Sequence, residues 1–434
     1  MEVVTIILVL LLAVVLSGFV SRALPLPIPR PLIQIAFGAA LGFLTDYTVP
    51  LNPELFFLLF LPPLLFLDGW RIPREDLLKD GKTVVELALG LVVFTVVGMG
   101  FFINWLIPAM PLAVAFALAA VLSPTDPIAV SAIAQRVPIP KRMMHILEGE
   151  SLLNDASGLV CMRFAVAAAL TGSFSLYDAS LDFLWVAFGG LAIGVGVTWG
   201  VTKLKDMISE RLGEDVGSQI LISLLIPFGA YLAAEHLHCS GILAAVAAGI
   251  TMSVVETSGR ALAVTRIRRN SVWDTIQFAA NGIIFVLLGE QLPSILASAA
   301  GTVELTGHHE PWWLVVYVVA INLGLAVLRF VWVWVSFRLT LARSGGRREA
   351  PHWRLVAAMS LAGVRGAITL AGILTLPLAL THGEPFPARD LAIFLAMGVI
   401  ICSLLAASIA LPLLLRGLEM PAEPGKEAAV DAAR

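Results

Sequence analysis

Apolar runs of about 20 residues recur along almost the whole chain, and they constrain it more than any other feature. A run of that length spans the hydrocarbon core of a bilayer as an α-helix. About 13 such runs are present, at roughly 2–20, 30–45, 53–70, 83–107, 111–134, 144–171, 181–202, 217–235, 240–256, 273–292, 312–337, 354–380 and 389–415. Of the 434 residues, 59% are hydrophobic and only 14% are charged, against about 25% charged in ordinary soluble domains. Extended polar helix faces, which a soluble helical protein would need, are nearly lacking. The fold class read from this is an all-α polytopic membrane protein, with 1–416 as a single membrane unit. The tail 417–434, rich in Ala, Glu and Pro, reads as a short disordered segment. Met1–Val20 has Glu2 before the run and Arg22 after it; lacking a basic n-region, it reads as a first span rather than a signal peptide.

The connectors sort by charge. Arg22 and Arg30 follow the first span, Arg71, Arg74, Lys79 and Lys82 the third, and Arg136, Lys141 and Arg142 the fifth. The connectors after the seventh, ninth, eleventh and last spans continue the pattern, so that about 24 of the 28 Lys and Arg fall on one side. Arg163, Arg329 and Arg365 lie inside spans, and Arg389 stands alone on the other side. The positive-inside rule then places the N-terminus outside and the C-terminus in the cytoplasm.

Three stretches put ionisable groups where a bilayer penalises them: Ser123-Pro124-Thr125-Asp126-Pro127, Gly149-Glu150-Ser151-Leu152-Leu153-Asn154-Asp155 and Gly363-Val364-Arg365-Gly366. Their three carboxylates and one guanidinium would cost roughly 10 kcal/mol or more if left unpaired. Such groups persist when they pair with each other or handle an ion. In the first stretch two prolines remove backbone donors and free carbonyls, which is tolerated at membrane depth only where protein buries the break or water fills it. Freed carbonyls and the Asp126 side chain suit a hard monovalent cation. A plain proline kink with Asp126 as a cap is the competing reading. In the third, glycines flank Arg365 and supply a second weak point, seven spans after the first and therefore opposite in direction. If spans 1–6 repeat as 8–13, these two interrupted helices are inverted-repeat counterparts, which points to a midplane site. In the sixth span, helical spacing stacks Glu150 over Asn154 and Ser151 over Asp155. A bare carboxylate at this depth is costly, so Asp155 would hold either a proton or a cation, and poorly both. That competition can produce exchange. A structural polar network is the alternative. Arg365 keeps its charge and needs a partner; Glu150 is the first choice.

Other positions read less sharply. Asp68 closes the third span as an interfacial residue or a partner for Asn154. Arg163 and Arg329 are left unassigned. His236-Leu237-His238-Cys239 resembles a metal motif but falls in a tight external turn with no further ligand. Cys161, Cys239 and Cys402 read as small apolar fillers. Gly38, Gly42 and the glycines at 189, 190, 194, 196 and 200 read as sites of close helix packing. Arg266-Ile267-Arg268-Arg269 reads as a cytoplasmic loop touching lipid rather than nucleic acid. No HExxH, GxSxG or Walker A pattern equips an ATP-driven or hydrolytic mechanism.

With these motifs placed, the chain resembles the monovalent cation:proton antiporter superfamily, the NhaP/NHE-type sodium–proton exchangers, in their bacterial branch. The resemblance rests on Leu61-Pro62-Pro63-Leu64-Leu65-Phe66, the two acidic motifs above, Asn281-Gly282-Ile283-Ile284-Phe285-Val286-Leu287-Leu288-Gly289 and Gly363-Val364-Arg365-Gly366-Ala367, in order along the chain. It implies a homodimer in the bacterial inner membrane. Each protomer would carry a dimerisation domain of approximately spans 1–3 and 8–10 and a transport domain of approximately spans 4–6 and 11–13, with two crossed, discontinuous helices (spans 5 and 12). It implies that Asp155 is the shared proton and cation ligand, with Asp126, Ser151 and the backbone oxygen of Thr125 completing a Na⁺ shell and Glu150 joining or supporting it. Asn154 before Asp155 implies electroneutral one-for-one exchange, with Arg365, Asn154 and Asp68 in support. No cofactor is implied beyond the transported Na⁺ and H⁺. The expected function is Na⁺/H⁺ antiport serving pH and sodium homeostasis, with Li⁺ or K⁺ as further cargo; a K⁺/H⁺ or broad-specificity exchanger is the near alternative. A cation channel and an intramembrane enzyme using Asp126 and Asp155 as a dyad are the alternatives of other classes.

Overall fold

The computed structural model describes residues 2–24, 28–44, 53–71, 74–126, 141–171, 176–256, 262–304, 310–343, 353–380 and 383–416. Pro127, the rest of the fifth run to Pro140, and the tail 417–434 lie outside them. The described residues form fourteen α-helices: α1 Glu2–Ala23, α2 Arg30–Leu44, α3 Pro53–Arg71, α4 Arg74–Leu106, α5 Leu112–Leu122, α6 Lys141–Thr171, α7 Leu176–Leu212, α8 Val216–His236, α9 Gly241–Glu256, α10 Ala263–Glu304, α11 Trp312–Arg343, α12 Trp353–Leu361, α13 Ala367–Leu374 and α14 Arg389–Leu415. Over its described residues every apolar run contains a helix, and the twelfth contains two. By length and composition six of the helices could cross a membrane unaided, and shorter apolar helices accompany them.

The burial pattern is inverted relative to a soluble protein. On α11, Val315, Val319, Leu323, Val327 and Val331 recur four apart and are all exposed, a continuous apolar stripe with no protein against it. Trp185, Phe188 and Trp199 on α7 and Leu221, Leu225 and Leu232 on α8 are exposed likewise. Exposed apolar surface on this scale is what lipid covers and what a soluble monomer avoids. The interior belongs to α5, whose Ala115, Ala117, Leu118, Ala119 and Ala120 are fully buried. Small side chains there let α4, α6 and α14 pack around it.

Helix packing falls into two sets. Helices α1, α2, α3, α7, α8, α9 and α10 pack chiefly on one another, and α4, α5, α6, α11, α12 and α14 on one another; α13 follows the second set in sequence but packs equally on both. Within the first set, α2 lies backbone to backbone along α10. A Cβ on Gly38 would overlap the Val286 carbonyl oxygen, and one on Gly289 the carbonyl of Ile35. The two sets meet where α3 and α10 face α13, and where α9 faces α6.

Two helices break. α5 stops at Ser123, directly before Pro124, since a residue preceding proline is disfavoured in the α conformation. Residues 124–126 beyond it are not helical. The twelfth run stops at Leu361, passes through Ala362–Gly366 without helix, and resumes at Ala367. These breaks put the site in place.

Candidate functional site

The two breaks touch. The Asp126 backbone N–H donates to the Val364 carbonyl at 2.7 Å, and the Asp126 side chain packs directly on Gly366, where a Cβ would collide with it. Arg365 reaches across as well. Its Nε donates to the Leu122 carbonyl at 2.9 Å, its Nη1 donates to the carbonyl of Gly363, and its backbone N–H meets Ser403 Oγ at 3.2 Å. The guanidinium therefore answers the Leu122 carbonyl at the end of α5, where the helix dipole is negative, and the Gly363 carbonyl in its own non-helical stretch.

This corrects one expectation. Glu150 does not pair with Arg365; its partner is Arg329 of α11. Arg329 Nη2 donates to Glu150 Oε2 at 2.9 Å, and Nη1 lies 2.7 Å from Oε1 in an approach that is close but off-axis. Both side chains are 3% exposed, and Arg329 Nε also donates to the Met359 carbonyl at 3.2 Å. A fork on a fork satisfies a planar guanidinium better than one long reach. Arg365 instead donates to the backbone oxygens of Leu122 and Gly363. Both cations left open by sequence are thereby assigned, since Arg163 pairs with Glu235 of α8 at 2.8 Å.

The acidic motif of α6 faces the break in the fifth run. Ser151 Oγ donates to the Thr125 backbone oxygen at 2.7 Å and lies 3.4 Å from Asp155 Oδ2, as the four-residue spacing predicts. Asn154 Nδ2 donates to Thr125 Oγ1 at 3.0 Å. Asp155 is 3% exposed and Asn154 fully buried. A cavity of about 30 Å³, room for one water-sized guest, is lined by Asp68, Thr125, Asp126, Ser151 and Asp155 together with Gln277, Asn281 and Thr369. Asp68 is thus a cavity residue rather than an interfacial one. Glu150 and Arg365 stand behind this wall and not on it.

Gln277 and Asn281, one turn apart on α10, and Thr369 on α13 were not singled out as site residues by sequence. Carboxamides and a threonine carry no charge penalty that would mark them against an apolar background. Their only signal is helical spacing, which puts 277 and 281 on one face.

The donor set is mixed: carboxylates, a hydroxyl and a backbone carbonyl. Hard oxygen donors of this kind suit an alkali cation. Among the described residues no three His, Cys, Asp or Glu side chains converge as a metal cage. The His236–Cys239 turn joins α8 to α9 with Cys239 buried and no cage around it.

The fold and this site define a polytopic helical membrane protein with charged groups gathered where the end of α5 meets the non-helical stretch between α12 and α13. Residues 7–417 match the family described as sodium/hydrogen exchanger, transmembrane, and the chain belongs to that family. It is 46% identical to an uncharacterised Na⁺/H⁺ exchanger, YjcE, of Escherichia coli K12, over 97% of this chain and 77% of that protein. It is 44% identical to a sodium, potassium, lithium and rubidium/H⁺ antiporter of Bacillus pumilus, over 95% of this chain but only 61% of that protein. In fold it is similar to the sodium proton antiporter MjNhaP1 of Methanocaldococcus jannaschii, with a TM-score of 0.73 at 20% identity, covering 96% of this chain and 99% of that one.

Proposed function

We propose that the protein is a secondary antiporter exchanging Na⁺ for H⁺, with K⁺ and Li⁺ also accepted. The observation that carries this reading is the placement of Asp155. It is a buried carboxylate on a small cavity, beside a hydroxyl and a freed carbonyl that can ligate a cation but not replace one. Bare, its charge is penalised by burial, so proton and cation relieve the same cost in turn. Asp126, Ser151 and the Thr125 backbone oxygen complete the cation shell, and Asp68 adds a third carboxylate at the cavity. Glu150 acts from behind, held by Arg329. The breadth of cations named for the Bacillus pumilus relative supports a site that is not strict for Na⁺.

The cavity wall comes from both helix sets, Asp68 and Gln277 from one, Thr125 and Asp155 from the other. A shift of the set containing α4–α6 and α11–α14 against the other would expose the site to each side alternately. The set containing α1–α3 and α8–α10 would form the scaffold of a homodimer. Asn154 spends its amide on Thr125 and brings no second charge beside Asp155, in keeping with electroneutral one-for-one exchange. The bacterial relatives support a place in the bacterial inner membrane, and the lysine and arginine bias supports an N-terminus outside and a C-terminus in the cytoplasm.

The test is reconstitution in vesicles with a trapped pH indicator, adding Na⁺, K⁺ or Li⁺ separately. Each accepted cation should drive proton flux the opposite way, at a rate indifferent to an imposed membrane potential. Cation current without proton counterflow would overturn the reading.

A further inference from the structure

The polar wall that α10 presents to the cavity is controlled from outside it. Gln277 lines the cavity, and Arg71 Nη1, at the last residue of α3, donates to Gln277 Oε1 at 2.7 Å. Arg71 Nη2 is bound at the same time by the Asp274 carboxylate. The Arg71 and Asp274 side chains are 40% and 65% exposed, so this pair forms a water-facing rim. A guanidinium has donors only. The amide oxygen of Gln277 must therefore face Arg71, which leaves the amide N–H₂ as the polar group this side chain offers the cavity.

That orientation matters for ion choice. An amide oxygen is a good alkali-cation ligand, whereas an amide N–H₂ repels a cation and favours a carboxylate. We infer that Gln277, held by Arg71 with its donor end toward the cavity, is a specificity-determining residue that withholds a ligand from the transported cation. The Asp274 carboxylate keeps Arg71 in place and balances its charge, so the rim is not itself a positive barrier. The cation is left to oxygens of the other lining residues, Thr125, Asp126, Ser151, Asp155 and Asp68 with Asn281 and Thr369 beside them. This inference rests on the antiport reading.

Three variants separate the possibilities in the vesicle assay, reading the half-saturating concentration and maximum rate for Na⁺, K⁺ and Li⁺. Gln277→Glu keeps the shape but places carboxylate oxygen at the wall, and should lower the half-saturating concentration by roughly tenfold while changing the order among the cations. Arg71→Met frees the amide to turn its oxygen inward, and should shift half-saturation in the same direction by a smaller factor. In the double variant Arg71→Met with Gln277→Leu, that gain from the arginine change should vanish. If Arg71→Met alters only the maximum rate, with every half-saturating concentration unchanged, or if its effect persists without Gln277, the inference is wrong. Size-exclusion profiles in detergent identify any variant that fails to fold, and Arg71→Lys, which retains a donor for the amide, should restore the wild-type cation order. Wild-type vesicles showing no cation-driven proton flux would instead overturn the antiport reading itself.

Discussion

At the scale of single residues, buried charge decides what each side chain does. Glu150 and Arg329 are both within a few per cent of complete burial, so removing one strands the other. Such a stranded charge costs about 3–5 kcal/mol. Glu150→Ala and Arg329→Met should each lower the thermal unfolding midpoint sharply in detergent, and exchanging the two charges together should recover much of the loss. The same exchange between Glu150 and Arg365 should recover nothing, because Arg365 serves the carbonyls of Leu122 and Gly363. Ser151→Ala removes a cation ligand and a bond to the Thr125 oxygen. It should raise half-saturating Na⁺ by roughly tenfold, the worth of one hydrogen bond to a charged group. Asp126, Glu150, Ser151 and Asp155 were legible in the sequence because each breaks an apolar run at a price. Which arginine meets Glu150 was not, since two guanidiniums equally in need of a partner lie more than a hundred residues away. Gln277 was invisible for the opposite reason, as a neutral amide breaks no rule.

At the scale of elements, the two breaks are held open by what they touch. Gly366 gives Asp126 the space that a methyl group would occupy. Gly366→Ala should therefore abolish cation-driven proton flux while the protein still purifies as a single folded species. Gly196→Ala, at a helix position with no atom near the added carbon, should leave flux unchanged; loss in both would point to a general packing defect. The ends of the apolar runs and the interruption at Gly363–Gly366 were readable from glycine, proline and charge placement. The hydrogen bond from Asp126 to Val364 was not, because it joins segments more than two hundred residues apart and depends on how α4, α6, α13 and α14 close around α5.

At the scale of the whole molecule, the proposed shift of one helix set against the other must part Arg163 of α6 from Glu235 of α8. These two helices belong to different sets, and Glu235 is anchored further by the Gly241 N–H at 3.2 Å. With Cys161, Cys239 and Cys402 replaced, an Arg163→Cys, Glu235→Cys pair joined by a short disulfide-containing bis-thiol cross-linker, which spans the reach of the original side chains, should stop exchange and recover it on reduction. Exchange that continues through the cross-link would mean the sets do not move apart there. Composition disclosed the membrane class and the apolar runs disclosed the helices, but the division into two sets is a property of long-range packing that no local pattern encodes. In the proposed mechanism Asp155 holds a proton or a cation and never both. Half-saturating Na⁺ measured with equal pH on both sides of the vesicle tests it most directly. Competition at one carboxylate predicts a rise of about tenfold for each unit of acidification on the acid limb, with Asp155→Asn inactive at every pH. A half-saturating concentration that stays constant while the rate alone follows pH would place proton and cation on separate groups and contradict the account.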